Sequence, residues 1–310
     1  MKRFIYRILL FIVLPLLIIV LVCEYSLRNI PNDYAFKNDW MDLHAQSVEI
    51  INLGNSHGYF GIEPSLFAYK AFNVAQESQD MKYNHFVFNK YYGKMDSLKV
   101  LILPISYSSF LGEGLETNDE KWRVKYYCIY YKCDYHKWEL LHNSELYNSL
   151  YFKDFHFKDV WFSLLGKADN RRCNDLGRGL WGRVGYQEDG AERARYHTAK
   201  KIDSVIVNQN QTYVEDMIVK CAERNVSVVL VTTPTFHTYS DNLNQEQLNL
   251  MINCCDYFQQ KFSNVTYLNL LFDKRFTIDD FGDADHLNEF GAAKLTHILQ
   301  QTIDTLRSCE

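Results

Sequence analysis

Two segments with almost no polar side chain, Val100–Ile105 (VLILPI) and Val226–Val231 (VSVVLV), constrain the fold of this 310-residue chain more than any other feature. A strand wetted on one face alternates apolar and polar residues. One that does not alternate is covered on both faces, the condition of a parallel sheet between helices. Shorter strand-like runs accompany them at Val48–Leu53 (VEIINL), Ala71–Ala75 (AFNVA) and Val265–Leu270 (VTYLNL). Helical patterns lie between and after, at Gln79–Met95, Asp203–Arg224, Gln245–Phe262 and Gly291–Leu306. This alternation predicts a three-layer α/β/α sandwich around a central parallel sheet. From about Ser108 to Lys201 the rhythm breaks. That stretch reads as an insertion between the third and fourth strands, partly helical around Lys132–Leu150 and holding Gly166, Gly177, Gly179, Gly182 and Gly185.

The N-terminus has a different character. Lys2, Arg3 and Arg7 precede a charge-free run from Ile8 to Cys23, and with Phe4, Ile5 and Tyr6 the apolar stretch reaches the length a helix needs to cross hydrocarbon. A cleaved signal peptide wants small residues at its cleavage site, yet no Ala occurs before Ala35 and no Gly before Gly54. Val22 ahead of Cys23 argues likewise against a lipoprotein. The expectation is a retained anchor through residues 4–23. It makes residues 1–28 the anchor and its flank, and 29–310 an α/β domain carrying the insertion at about 108–201. Cations before the run and mixed charge after it predict a cytoplasmic N-terminus and an extracytoplasmic main domain.

Composition excludes several function classes. Hydrophobic residues make up 47% of the chain and aromatics 15%, which is too apolar for disorder. Net charge is −5 with no long basic run, so nucleic acid is not an expected partner. The 8 Cys show no paired zinc-finger spacing; buried thiols and disulfides involving Cys128, Cys133 or Cys173 both stay open.

Two short segments can meet at the carboxyl edge of such a sheet, where open α/β sheets bind ligands. Leu53-Gly54-Asn55-Ser56-His57-Gly58 follows the first strand. Ser56 there is either a nucleophile, which needs a neighbouring base, or a helix N-cap. Gly282-Asp283-Ala284-Asp285-His286-Leu287-Asn288 precedes the last helix. Asp283 can fold back onto the His286 imidazole through one tight turn, and a carboxylate there fixes the tautomer of a base. Asp285 reads as a loop or helix cap, and an acidic helix start is the competing account of both carboxylates. His57 is expected to line the pocket, with His237 and Tyr239 reaching it from beyond the fourth strand as substrate contacts. Arg171, Arg172, Arg178, Arg183, Arg193 and Arg195 read either as contacts to an anionic glycan or headgroup, or as solvated surface. Asp283, Asp285, His286 and His57 offer a divalent-metal alternative, but no further carboxylate-rich strand end completes a shell, so neither metal nor cofactor is expected.

Together the segments resemble the SGNH (GDSL-like) hydrolase and acyltransferase superfamily. Gly54-Asn55-Ser56 matches the family's first motif, Gly-Asp-Ser or a variant, and Asp283-Ala284-Asp285-His286 its last, Asp-x-x-His. The His286-Leu287-Asn288 continuation is similar to membrane-anchored envelope members. The resemblance covers roughly residues 45–106 and 203–306. It implies a flavodoxin-like sandwich, Ser56 as nucleophile, His286 as general base and acid, and Asp283 as orienting carboxylate. It also implies an oxyanion hole made by the Ser56 N–H, a Gly N–H after the second strand and an Asn side chain after the third. Here Ala75 stands at the Gly position and Pro104-Ile105-Ser106-Tyr107-Ser108 holds no Asn, leaving Gln76 and Ser106 as substitutes. A missing donor costs about 2.7–4 kcal/mol of transition-state stabilisation. The implied activity is a serine esterase or O-acyltransferase acting on acyl esters, acetyl esters first, of envelope glycans or lipid-linked glycans. The alternative is a non-catalytic glycan-binding or envelope-assembly component of the same fold.

Overall fold

The computed structural model describes residues 2–112, 114–181 and 187–308, which fall into two compact units. Gly182, Arg183 and Gly185, singled out in the sequence, lie outside the described residues.

The sheet unit comprises Asp39–Asn118 and Arg172–Glu310. Its strands are β1 (Ile50–Asn52), β2 (Ala71–Asn73), β3 (Val100–Pro104), β4 (Ser227–Thr232) and β5 (Val265–Asn269). They form one parallel sheet in the order β2-β1-β3-β4-β5. Every residue of β3 is buried, as its unbroken apolar run requires. Alternation sends Ile50, Val100, Ile102, Val229 and Val231 to one face, against Leu295, Leu299 and Ile303 of the closing Glu289–Ser308 helix. Ile51, Leu101, Leu103, Val228 and Leu230 are buried on the other face, the side of the Met81–Tyr92 and Ser204–Glu223 helices. The α/β sandwich expected from the sequence is therefore present. The chain leaves β1 for β2 on one side and then returns to β3 on the other. The carboxyl ends of β1 and β3 thus flank the switch point at which such sheets open a crevice.

The second unit comprises Met1–Asn38 and Asp119–Arg171. One helix here, Tyr6–Arg28, is 23 residues long and apolar enough to cross a membrane, with a mean hydropathy of 2.9 over its most apolar stretch. It widens to a π turn over Leu9–Val13 just ahead of Pro15, where the ring has no N–H to give and crowds the preceding turn. Only its last turns are covered, at Cys23 and Ser26. Glu24 accepts hydrogen bonds from Ser144 Oγ (2.7 Å) and the Leu146 N–H (2.9 Å), and Ser163 Oγ donates to the Ser26 carbonyl at 2.6 Å. A buried pair between Lys125 and Glu145 (2.6 Å) ties the inserted helices to one another. The partly helical stretch expected around Lys132–Leu150 holds the short helices Leu140–Asn143 and Glu145–Tyr151, with Val124–Ile129 before them and Phe157–Leu164 after.

Candidate active site

The site lies within the sheet unit and begins where β1 ends. Gly54 takes φ +114°, a conformation that disfavours any side chain, and a Cβ there would press on Pro104 at 3.0 Å. Asn84 Oδ1 accepts the Gly54 N–H (2.7 Å), while Gln79 Nε2 donates to its carbonyl (3.2 Å). Asn55 Oδ1 then accepts the His57 N–H at 3.1 Å, so Asn55 rather than Ser56 caps the Ser56–Gly61 helix. Ser56 becomes the first helical residue and its hydroxyl has no capping duty. The helix is pinned at its far end. Asn52 Nδ2 and Asn73 Nδ2 both donate to the Gly58 carbonyl, at 3.1 and 2.9 Å.

The second segment closes through the Gly282 N–H on the His286 carbonyl (2.8 Å). Asp283 Oδ1 accepts the backbone N–H groups of Asp285 (3.0 Å) and His286 (2.8 Å). Both Asp283 oxygens stand 3.0 Å from His286 Nδ1, and His286 Nε2 stands 2.7 Å from Ser56 Oγ, 230 positions away in sequence. A ring nitrogen between two carboxylate oxygens must carry the proton. In neutral His286, Nε2 is therefore the acceptor for the Ser56 hydroxyl. The closing helix does not draw on these acids: Asn288 Oδ1 caps it, accepting the N–H groups of Phe290 (2.9 Å) and Gly291 (3.1 Å).

Behind the imidazole is a layer that the sequence reading misplaced. Asp285 is fully buried and caps nothing; Arg193 Nε donates to its Oδ1, and Arg193 Nη2 reaches within 3.5 Å of Asp283 Oδ2. Arg193 is thus neither a free glycan contact nor solvated surface. Asp285 Oδ2 has no hydrogen-bond partner among the described residues; His57 Nε2 (3.7 Å) and His197 Nδ1 (3.8 Å) face it beyond bonding distance. His57 does not line an open pocket either, being buried with Nδ1 on Thr233 Oγ1 at 3.0 Å. Tyr239, expected to meet substrate, is buried with its hydroxyl 2.8 Å from His197 Nδ1. His237 turns to solvent beside Asp241. Arg178 pairs with Glu63 at 2.6 Å in a nearly closed setting.

These contacts set the protonation pattern. Burial opposes a charge on His286, but the carboxylates of Asp285 and Asp283 outweigh it and lift its pKa above the ordinary 6.5. Burial, followed by repulsion from His286, drives His57 down to about 3, so it is neutral near pH 7. His197 is lowered as well, chiefly by burial. Burial also opposes the Asp285 charge, yet His286, His57 and Arg193 hold that carboxyl well below the usual range. His57, Asp285 and His286 offer ligand atoms within 4.8 Å of one another. The cation beside Asp285 is, however, the Arg193 guanidinium, and both His286 nitrogens already face Ser56 and Asp283.

No family model matches this chain, and no curated protein does. Similar solved structures include a protein assigned as an acylhydrolase from Bacteroides fragilis, at 9% identity and a TM-score of 0.42, covering 86% of this chain and 95% of that one. Another is a GDSL-like lipase from Bacteroides thetaiotaomicron, at 8% identity and a TM-score of 0.43, covering 89% and 100%.

The four oxyanion-hole candidates have different fates. The Ser56 N–H stands at the first helical position, where no intrahelical acceptor exists. The Ala75 N–H is taken by Asn73 Oδ1 at 3.0 Å. Ser106 Oγ accepts from Asn55 Nδ2 (2.8 Å) and shares a bond with Ser109 Oγ (3.0 Å), so it positions Asn55. Gln76 is buried, its N–H rests on the Gly54 carbonyl (3.3 Å), and its Nε2 has no partner among the described residues. Trp181 adds an apolar wall, with ring centroids 4.6 Å from Phe60 and 5.7 Å from His286. Gly282 admits it, since a Cβ there would fall 2.4 Å from Trp181, while a Cβ on Gly179 would fall 2.1 Å from the Tyr59 ring.

Proposed function

We propose that this protein is a membrane-anchored serine esterase or O-acyltransferase acting on acyl esters of envelope glycans. The observation that carries the reading is the relay from Asp283 through His286 to Ser56, with 3.0 Å and 2.7 Å links. In the proposed reaction His286 Nε2 takes the Ser56 proton as Oγ attacks the acyl carbon. The oxyanion draws on the Ser56 N–H and Gln76 Nε2. The tetrahedral adduct collapses, His286 returns the proton to the departing alcohol, and an acyl-Ser56 remains. Water, or a sugar hydroxyl, then gives its proton to His286 Nε2 and takes the acyl group, restoring Ser56. Asp283 holds the Nδ1 proton throughout. The Trp181–Phe60 wall suits the apolar part of an acyl group.

The anchor and the extracytoplasmic placement come from the Tyr6–Arg28 helix and the cations before it. The glycan rests on that placement together with the resemblance to envelope members. Release of acetate from a panel of O-acetylated glycans by the purified full chain tests the proposal. Turnover that is abolished in Ser56→Ala supports it. No turnover with any ester leaves the non-catalytic envelope component in its place, and turnover unchanged in Ser56→Ala overturns Ser56 as the nucleophile.

A further inference from the structure

We propose that the inserted helices around residues 138–165 form an apolar pad that rests in the interfacial layer of the bilayer crossed by the Tyr6–Arg28 helix; this deepens the anchor part of the function proposed above. A surface helix of a water-facing domain normally turns its polar side outward. The Phe157–Leu164 helix does the reverse. Its buried Val160 and its Ser163, bonded to Ser26 of the spanning helix, are on the inner side. Phe157, Trp161, Leu164 and Leu165, spaced i, i+4, i+7 and i+8 and so on one face, are all exposed, Phe157 at 66% and Trp161 at 56%. The Glu145–Tyr151 helix repeats the pattern: Asn148 is buried while Tyr147, Leu150 and Tyr151 are exposed. Trp138, seven positions before the Glu145–Tyr151 helix, is exposed as well, at 72%. Isolated exposed apolar residues need no account, but a contiguous aromatic face marks an interaction surface.

The bilayer, rather than a protein, is indicated by continuity with the spanning helix. From Tyr6 to Ser26 a helix rises about 30 Å, the thickness of the hydrocarbon core. Ser26 is where Ser163 is fastened, so the pad joins the helix at the depth where Trp and Tyr concentrate in membrane proteins. Glu24 and the first N–H groups of the Glu145–Tyr151 helix seal the same level. Residues 132–167 carry five Lys against three Asp and two Glu. Attraction to anionic lipid is therefore not the drive. Burial of the aromatic face is, and zwitterionic lipid suffices.

The test uses the full chain in phosphatidylcholine vesicles with or without bromine on the upper acyl chains. The chain has 5 Trp, so the emission of Trp138 and Trp161 is taken as the difference between the unmodified protein and the Trp138→Phe/Trp161→Phe variant. Both side chains are exposed, so the conservative replacements are expected to leave the fold undisturbed. The pad predicts that this emission is roughly halved by bromolipid, hardly touched by aqueous iodide, and indifferent to salt. Quenching by iodide alone would place the residues in water and overturn the pad while the anchor stands. Shielding from both quenchers would assign the face to a protein partner and overturn it equally. Failure of the protein to float with vesicles at all would sink the anchor and the pad together.

Discussion

Asp285 governs the protonation of His286 without touching Ser56. Below its pKa the imidazole is charged and cannot accept the hydroxyl proton, so activity falls on the acid side. Because that pKa is raised, the acid limb of kcat/KM is expected above the ordinary 6.5. Asp285→Asn removes one of the two carboxylate attractions and moves the limb to lower pH. A pH–rate profile of the two proteins checks this; superimposed acid limbs would contradict it. Arg193 explains why the layer was not legible in the sequence. Its partner lies 92 positions away, and an ion pair at that distance leaves no local pattern. Asp283 and His286 were legible because they sit three residues apart and one turn joins them. Asp285 and His57 adjoin the motif residues, but their burial depends on Arg193, Thr233 and His197, which only the fold assembles.

At the scale of elements, the six-residue helix after β1 presents Ser56, and close packing at Gly58 sets its place. A Cβ on Gly58 would fall 2.8 Å from the Leu53 carbonyl and 2.9 Å from Pro104 Cγ, both parts of the sheet edge. Gly58→Ala is expected to destabilise the protein by about 1–3 kcal/mol, as overpacking does, and to lower the proposed esterase activity with it. Gly93 has nothing within 4 Å of an added Cβ and no positive φ, so Gly93→Ala is expected to be neutral or mildly stabilising, by about 0.4–1 kcal/mol. Thermal melts of the two variants, with activity alongside, make the comparison. The central strands were legible because complete burial leaves apolar runs. The Ser56–Gly61 helix was not, since six residues span too few turns to show a period. The Phe157–Leu164 helix escaped notice for another reason: its apolar side faces outward.

For the whole molecule, the buried histidines predict how stability depends on acid. His57 has an ordinary pKa of 6.5 when unfolded and about 3 when folded. Between those values the unfolded chain binds a proton that the folded chain refuses. The contribution is complete above 6.5 and is lost as pH falls toward 3. His286 acts in the opposite sense: its contribution is present below 6.5 and disappears as pH rises through its raised value. Denaturant unfolding across this range should show stability declining below pH 6.5, and declining less steeply in His57→Gln. An identical slope in the variant would contradict the buried neutral His57.

The account as a whole turns on whether Ser56 is a nucleophile driven by His286. Reaction of the full chain with an alkyl fluorophosphonate, followed by peptide mass spectrometry, reads this directly. The predicted result is a single adduct on the peptide containing Ser56, absent in His286→Ala although that variant remains folded. An unmodified Ser56 in the native protein, or labelling that persists without His286, would contradict it.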